Sequence, residues 1–247
     1  MLKCFKCDLH VHTCLSPCAD LDMYPGALVN KFIDKNLDIV AICDHNASEN
    51  VPYVQKIADA KDNSITILPG MEVSSREEVH ILAIFDNYDD LGRLQQIVYN
   101  HLPGKNDESR FGLQVIVNEL DEVEGYNDKL LIGATQLSLS SVVDHIHSFG
   151  GLAVAAHIDR ESYSVISQLG FIDPSTPFDA LEVSASMDLQ AARLKYPELS
   201  AYALVQSSDA HFIKDVGRGL TSMFLESAST KEIKLAFENR LGRYIQE

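Results

Sequence analysis

The stretch "CDLHVHTCLSPCADLD", residues 7–22, sets Asp8, His10 and His12 two residues apart, then Cys14 and Cys18 four apart. In an extended strand every second side chain points the same way, so Asp8, His10 and His12 are expected on one face of a strand that otherwise reads as buried. A single strand histidine is more often a hydrogen-bonded core residue than a ligand, but here the pattern recurs. "AICDHN" ends in Asp44 and His45, "LPGMEVS" presents Glu72, and "EEVHILA" presents His80. "AVAAHIDR" reaches His157, "ALEVS" offers Glu182, and "SSDAH" holds Asp209 and His211 at spacing two. Buried without partners, such groups cost on the order of a few kcal/mol each. A shared cluster of cations supplies a partner for all of them at once.

These residues need a scaffold that brings distant segments together. Strands read at "KCDLHVH", "LDIVAICDH", "ITILPGMEVS", "VHILAIFD", "LAVAAHI", "ALEVSAS" and "ALVQSSDAH", with helical periodicity in between, as in "YPGALVNKFIDKN", "VPYVQKIADAK", "LSSVVDHIHSFG" and "TKEIKLAFENR". Parallel neighbours need crossover connections, so seven strands alternating with helices predict a parallel β/α barrel, an open doubly wound sheet being the alternative. In such folds the C-terminal strand ends form the active face, where these residues fall. The alternation breaks between Asp86 and Thr135, read as an inserted helical segment packed over one barrel end, within one domain spanning residues 1–247. That segment is the expected determinant of substrate choice, with Lys105 and Arg110 able to reach a bound anion.

Composition narrows the classes. Apolar runs stay far short of a membrane span, and no secretory segment opens the chain, so a cytoplasmic protein without a membrane partner is expected. Five cysteines without framework spacing point to reduced thiols. The 36 acidic against 20 basic residues, a formal net charge of −16, repel polyphosphate backbones, which argues against duplex nucleic acid as a partner. No GxGxxG or GxSxG appears, which disfavours a dinucleotide binder and a serine hydrolase. Monomer and homo-oligomer are equally compatible with the sequence.

The ordered set DLHVHT, DHN, GMEVS, AHIDR and SSDAH, running from Asp8 to His211, resembles the polymerase and histidinol phosphatase (PHP) superfamily. The resemblance implies a distorted seven-stranded β/α barrel that holds two or three divalent metal ions (zinc, iron or manganese) and hydrolyses phosphoesters. Carried over, His10, His12 and Asp209 hold one ion, and Glu72 bridges it to a second held by His80 and His157. His45 and His211 hold a third. Many of these proteins have a histidine six residues beyond His12, where this chain has Cys18. A thiolate there favours zinc or ferrous iron over magnesium, and Asp20 is an alternative oxygen donor.

Asp8 and Asp44 are expected to orient ligand imidazoles, and Glu182 to do the same or touch substrate, completing the catalytic set. Arg160 is placed to fork onto a substrate phosphate, unless it merely pairs with Asp159 or Glu161; Arg218 is a weaker candidate of the same kind. The expected reaction is hydrolysis of a small phosphoester by a metal-bridged hydroxide. A nuclease or phosphodiesterase acting on short oligonucleotides, and a non-catalytic metal-binding regulatory module, are the competing readings.

Overall fold

Short aliphatic runs become strands and amphipathic stretches become the crossovers between them. In the computed structural model, which describes residues 1–61 and 65–246, β1 (Lys3–Val11) leads through α1 (Pro25–Asp34) to β2 (Ile39–Ile42), and α2 (Val51–Ala60) leads to β3 (Thr66–Ser74). These three strands run parallel. A tight turn then sends β4 (His80–Ile84) back antiparallel to β3. After β4 come α3 (Tyr88–His101), α4 (Glu108–Phe111) and a hairpin of β5 (Val115–Val117) and β6 (Val123–Tyr126). Next, α5 (Leu139–Ser148) precedes β7 (Leu152–Ala155), which lies antiparallel to β4. With α6 (Val165–Leu169) and α7 (Leu189–Lys195) as crossovers, β8 (Ala180–Val183) and β9 (Leu204–Gln206) continue parallel to β7. The chain finishes with β10 (Thr221–Leu225), α8 (Thr230–Phe237) and β11 (Tyr244–Gln246).

All seven segments read as strands are strands, in a nine-stranded sheet ordered β11-β10-β1-β2-β3-β4-β7-β8-β9. Two features differ from the parallel barrel expected from sequence. β4 is reversed, and β10 and β11 extend the β1 edge in antiparallel fashion. The sheet curls until its ends nearly meet: Val11 bridges Ala210, and Thr221 Oγ1 donates to Gln206 O and accepts from Gln206 N, both at 2.8 Å.

Alternation along the strands sorts side chains into two layers. Val40, Ile42, Met71, Val73, Ile81 and Ala155 face outward, against Leu28, Phe32, Val54, Leu94, Val142 and others on α1, α2, α3 and α5. Leu9, Ala41, Leu68, Leu82, Val154 and Val205 face inward, with Ile233 and Phe237 of α8 packed among them. Thr230 and Lys234 tie α8 to Asp86 and Asp179, residues at the starting ends of the parallel strands. That end is plugged, so the open end is the one where the polar residues gather. Among the described residues no helix is long and apolar enough to cross a membrane.

The segment 86–135 follows from the reversal of β4. Because β4 ends at the plugged end, α3 must climb the outer face before α5 can descend to β7. Residues between them pack on the loops that follow β1 and β2: Asn46 Nδ2 donates to Leu131 O and Gly133 O, and Val115 N donates to Cys14 O. The segment carries the hairpin as well as helices, unlike the purely helical reading. Its strands of three and four residues are too short to show a period of two.

Gly70, in the middle of β3, is required by close approach. A Cβ there would lie 2.6 Å from Cys43 Sγ and 2.8 Å from Ile42 O. Gly70→Ala is expected to destabilise the fold by about 1–3 kcal/mol, measured as a lowered urea midpoint; an unchanged midpoint would contradict this packing.

Candidate metal centre

The open end of the barrel collects its polar residues through one irregularity in β1. Cys7 and Asp8 pair with Ile39 and Val40, but Val11 pairs with Ile42, so one extra residue is inserted between them. Such a bulge re-aims the side chains that follow it. Asp8 therefore faces outward, and His10 and His12 face in. The expectation of three residues on one face holds for two. Asp8 accepts from Ser208 N at 2.9 Å and Gly217 N at 3.1 Å and orients no imidazole; it fastens the loops flanking β9 and β10. Burial, partly offset by those bonds, pushes its carboxyl up to about 6.

Glu72, buried near the end of β3, is the hub. Its Oε1 lies 2.8 Å from His80 Nδ1, 3.1 Å from His157 Nε2 and 3.5 Å from His10 Nε2. Its Oε2 lies 2.9 Å from His45 Nδ1 and 3.4 Å from His12 Nε2. Asp209 Oδ1 stands 3.2 Å from His12 Nε2 and 3.4 Å from His10 Nε2. Most of these groups sit at or just beyond the C-terminal ends of their strands. His80 is the exception, reaching the same end because β4 is reversed and presents its first residue there. His157 and Asp209 leave their strands with φ of +29° and +46°, left-handed conformations that cost a non-glycine residue on the order of 1 kcal/mol or more and collect at functional sites.

The proton arrangement suits bound cations. His10 Nδ1 lies 3.0 Å from Glu182 Oε2, and His12 Nδ1 lies 2.9 Å from Ser16 Oγ, which already donates to Asp44. If each ring carries a single hydrogen, on Nδ1, the two Nε2 atoms turn lone pairs toward each other at 3.1 Å and toward carboxylate oxygens besides. A cation placed between such acceptors would offset their repulsion. The spacings match the edges of a coordination shell, about 3.0–3.4 Å for ligands held about 2.1 Å from one ion. Glu72 Oε2 and Asp209 Oδ2, both buried, make no aligned hydrogen bond.

Among the described residues, three overlapping groups meet the spacing for an ion: His10, His12 and Glu72; His45, Glu72 and His80; and His12, His45 and His211. The residues present fit divalent cations. Burial opposes charge on Glu72, but the imidazoles of His80, His10 and His45 hold its carboxyl well below the usual range. Burial and the nearby His211 ring hold His12 well below the ordinary imidazole range, which keeps it neutral.

The other candidates fall around this core. Cys18 borders His45 and His211; burial would raise its thiol, but hydrogen bonds with His211 and His45 bring it down to about 6. Cys14 is buried with its thiol on Val115 O, and all five cysteines are free, so no Cys14–Cys18 pair forms. Glu182 holds His10 and also accepts from His157 N at 3.1 Å. Asp44 reaches His12 only through Ser16. Arg160 pairs with neither Asp159 nor Glu161 as its main partner but with Asp209 Oδ2 at 2.5 Å, and it is 44% exposed. Arg218 lies 3.8 Å from Asp215.

Two adjoining clefts reach the centre. One of about 200 Å³ opens over His45, His80 and His157, and one of about 550 Å³ is lined by Arg218 and Phe212; both share Cys18, Arg160, Asp209 and His211. Lys105 and Arg110 line neither of them. Sequence reasoning missed Ser16, whose signal was a hydroxyl four residues after His12, and Tyr163, whose ring stacks on His80 at 4.7 Å. Nothing in the sequence around Tyr163 marks that contact.

Comparison with known proteins agrees with this geometry. The PHP domain model matches residues 8–170. A lesion-specific endonuclease Q from Pyrococcus furiosus shares the fold over 98% of this chain, with TM-score 0.74 and 17% identity. So does endonuclease Q bound to a 27-mer duplex with an abasic lesion, with TM-score 0.71 and 18% identity; the chain spans 58% of the length of each. A putative metal-dependent phosphoesterase from Bifidobacterium adolescentis matches 83% of this chain and 87% of its own, with TM-score 0.55 and 17% identity. The uncharacterized protein YqxK of Bacillus subtilis is 30% identical over 106 residues, which are 40% of this chain and 27% of YqxK. The charge argument against duplex nucleic acid is overturned here: a protein of this fold has been crystallised on a DNA duplex. Net charge is a property of the whole surface, whereas binding is decided by the local field at a site.

Proposed function

Because this chain belongs to the PHP domain family of metal-dependent hydrolases, we propose that it hydrolyses phosphoesters at a centre of two or three divalent cations, zinc, iron or manganese, with a small phosphomonoester as substrate. The observation that carries the reading is Glu72, whose two oxygens lie between His10 and His12 on one side and His45, His80 and His157 on the other. One carboxylate in that position is suited to join two ions. His10, His12 and Asp209 would hold the first with it, His80 and His157 the second, and His45, His211 and Cys18 a third. Bound there, divalent cations lower the pKa of water toward neutrality and offset charge on the phosphoryl oxygens.

The chain's own groups do the rest. Glu182 fixes the ring of His10. Asp209 holds Arg160 at the mouth of both clefts, where the guanidinium can turn from Asp209 to an entering phosphate oxygen. Arg160→Ala is expected to raise KM by about tenfold, the scale of one charge-assisted hydrogen bond, with a smaller change in kcat. Steady-state kinetics check this, and unchanged constants would remove Arg160 from the site.

A second reading, cleavage of a phosphodiester including one in duplex DNA, is favoured by the likeness to endonuclease Q over 98% of the chain and by the larger cleft beside the centre. One panel separates the two: a nitrophenyl phosphomonoester, the bis-ester, short oligonucleotides and a duplex with an abasic site, each with manganese, iron or zinc and with chelator. Phosphate released from monoesters alone supports the first reading. Diester or strand cleavage supports the second, and metal-loaded protein inert on every substrate overturns both.

A further inference from the structure

Resting on the cation centre just described, we propose that Ser16 is a positioning residue that sets the tautomer of His12 and so aims a bare Nε2 at the ions. The direction of every proton around it is fixed by obligate donors. Asn50 Nδ2 and Leu15 N donate to Thr13 Oγ1 at 2.9 and 3.1 Å, which leaves the Thr13 hydroxyl proton for Asp44 Oδ2 at 2.7 Å. Thr13 N donates to Asp44 Oδ1 at 2.7 Å. His45 N, a backbone donor, points at Ser16 Oγ at 3.1 Å, and the Ser16 hydroxyl donates in turn to Asp44 Oδ1 at 2.6 Å.

Asp44 thus receives three donors and acts as the fixed acceptor of the network. A serine hydroxyl has one hydrogen, and at Ser16 it is committed to Asp44. Toward His12 Nδ1, 2.9 Å away, Ser16 can only accept. His12 must carry its hydrogen on Nδ1, leaving the Nε2 lone pair toward Glu72 and Asp209. Ser16, Thr13, Asp44 and Asn50 are all buried, so no solvent competes for these bonds. Through the same oxygen Ser16 also anchors the backbone of His45. One hydroxyl therefore positions two candidate ligands that hold different ions.

The test uses the full chain and needs no turnover. In metal-free, ¹⁵N-labelled protein at mildly alkaline pH, long-range ¹H–¹⁵N correlation of the His12 ring is expected to show Nδ1–H in the wild type and in Ser16→Thr. Ser16→Ala is expected to lose that single tautomer. Zinc affinity, read by competition with a chromophoric chelator, should fall about 10- to 100-fold in Ser16→Ala, the scale for loss of a group that orients a ligand, and recover in Ser16→Thr. A purely structural role would lower the melting temperature and leave the ring spectrum unmoved. An Nε2–H tautomer in the wild type overturns the proposal, and that spectrum decides even if Ser16→Ala fails to fold. Unchanged tautomer and affinity in a folded Ser16→Ala overturn it as well. A failed ester panel would remove the phosphoesterase reading without touching either readout.

Discussion

Glu72→Gln is expected to lower kcat/KM by about 10³-fold or more while the protein stays folded. Shape is conserved, so the outer packing of β3 against α2 and α3 is undisturbed; what changes is charge and proton count at the hub. A glutamine amide donates through nitrogen and carries no charge, so it can accept from, or share an ion with, fewer of the five imidazoles that now face Glu72. Electrostatic stabilisation by bound cations is worth several kcal/mol, and about 4 kcal/mol corresponds to three orders of magnitude in rate. Steady-state kinetics across a metal titration, with thermal melts as the control for folding, check the expectation. Activity within about tenfold of wild type at saturating metal would mean that Glu72 does not join the ions.

Stripping the cations is expected to abolish activity and lower the melting temperature by about 10 °C. Ions that bind only the folded chain stabilise it by about 4 kcal/mol at a thousandfold excess over Kd. For a chain of this size each kcal/mol moves the midpoint by about 2–4 °C. The physical source is the set of lone pairs described above: without ions, His10 Nε2 and His12 Nε2 face each other at 3.1 Å. Scanning calorimetry of chelated and re-loaded protein measures the shift, and the loss should reverse when zinc, iron or manganese is returned. Identical melts with and without chelator would mean that no ion contributes to the fold.

The site was largely legible in sequence because its ligands lie at strand ends and share a residue vocabulary rare in apolar runs. Glu72, His80, His157 and Asp209 were each visible as a polar residue in a stretch such as "LPGMEVS" or "AVAAHIDR", and the structure brings them around one carboxylate. What escaped were departures from regular periodicity. Asp8 looked equivalent to His10 and His12 because the period-two rule assumes an unbroken strand, and a one-residue bulge leaves no mark in residue types. The reversal of β4 was legible but overlooked: only five residues, 75–79, separate β3 from β4, too few for the crossover that a parallel neighbour needs. β10 and β11 were missed because two of five side chains in β10 and all three in β11 are exposed or partly exposed, so neither reads as a buried run. Ser16 was passed over for a different reason: a hydroxyl four residues after His12 is only a faint signal, because its role depends on which way protons point, which spacing does not encode.

The central claim is a cage of cations centred on Glu72, and the most direct measurement is anomalous diffraction from crystals grown with zinc or manganese. At least two anomalous peaks are expected, each about 2.0–2.2 Å from a Glu72 oxygen, one beside His10 and His12 and another beside His80 and His157. Peaks confined to surface carboxylates, with none touching Glu72 in crystals grown with either metal, would contradict it.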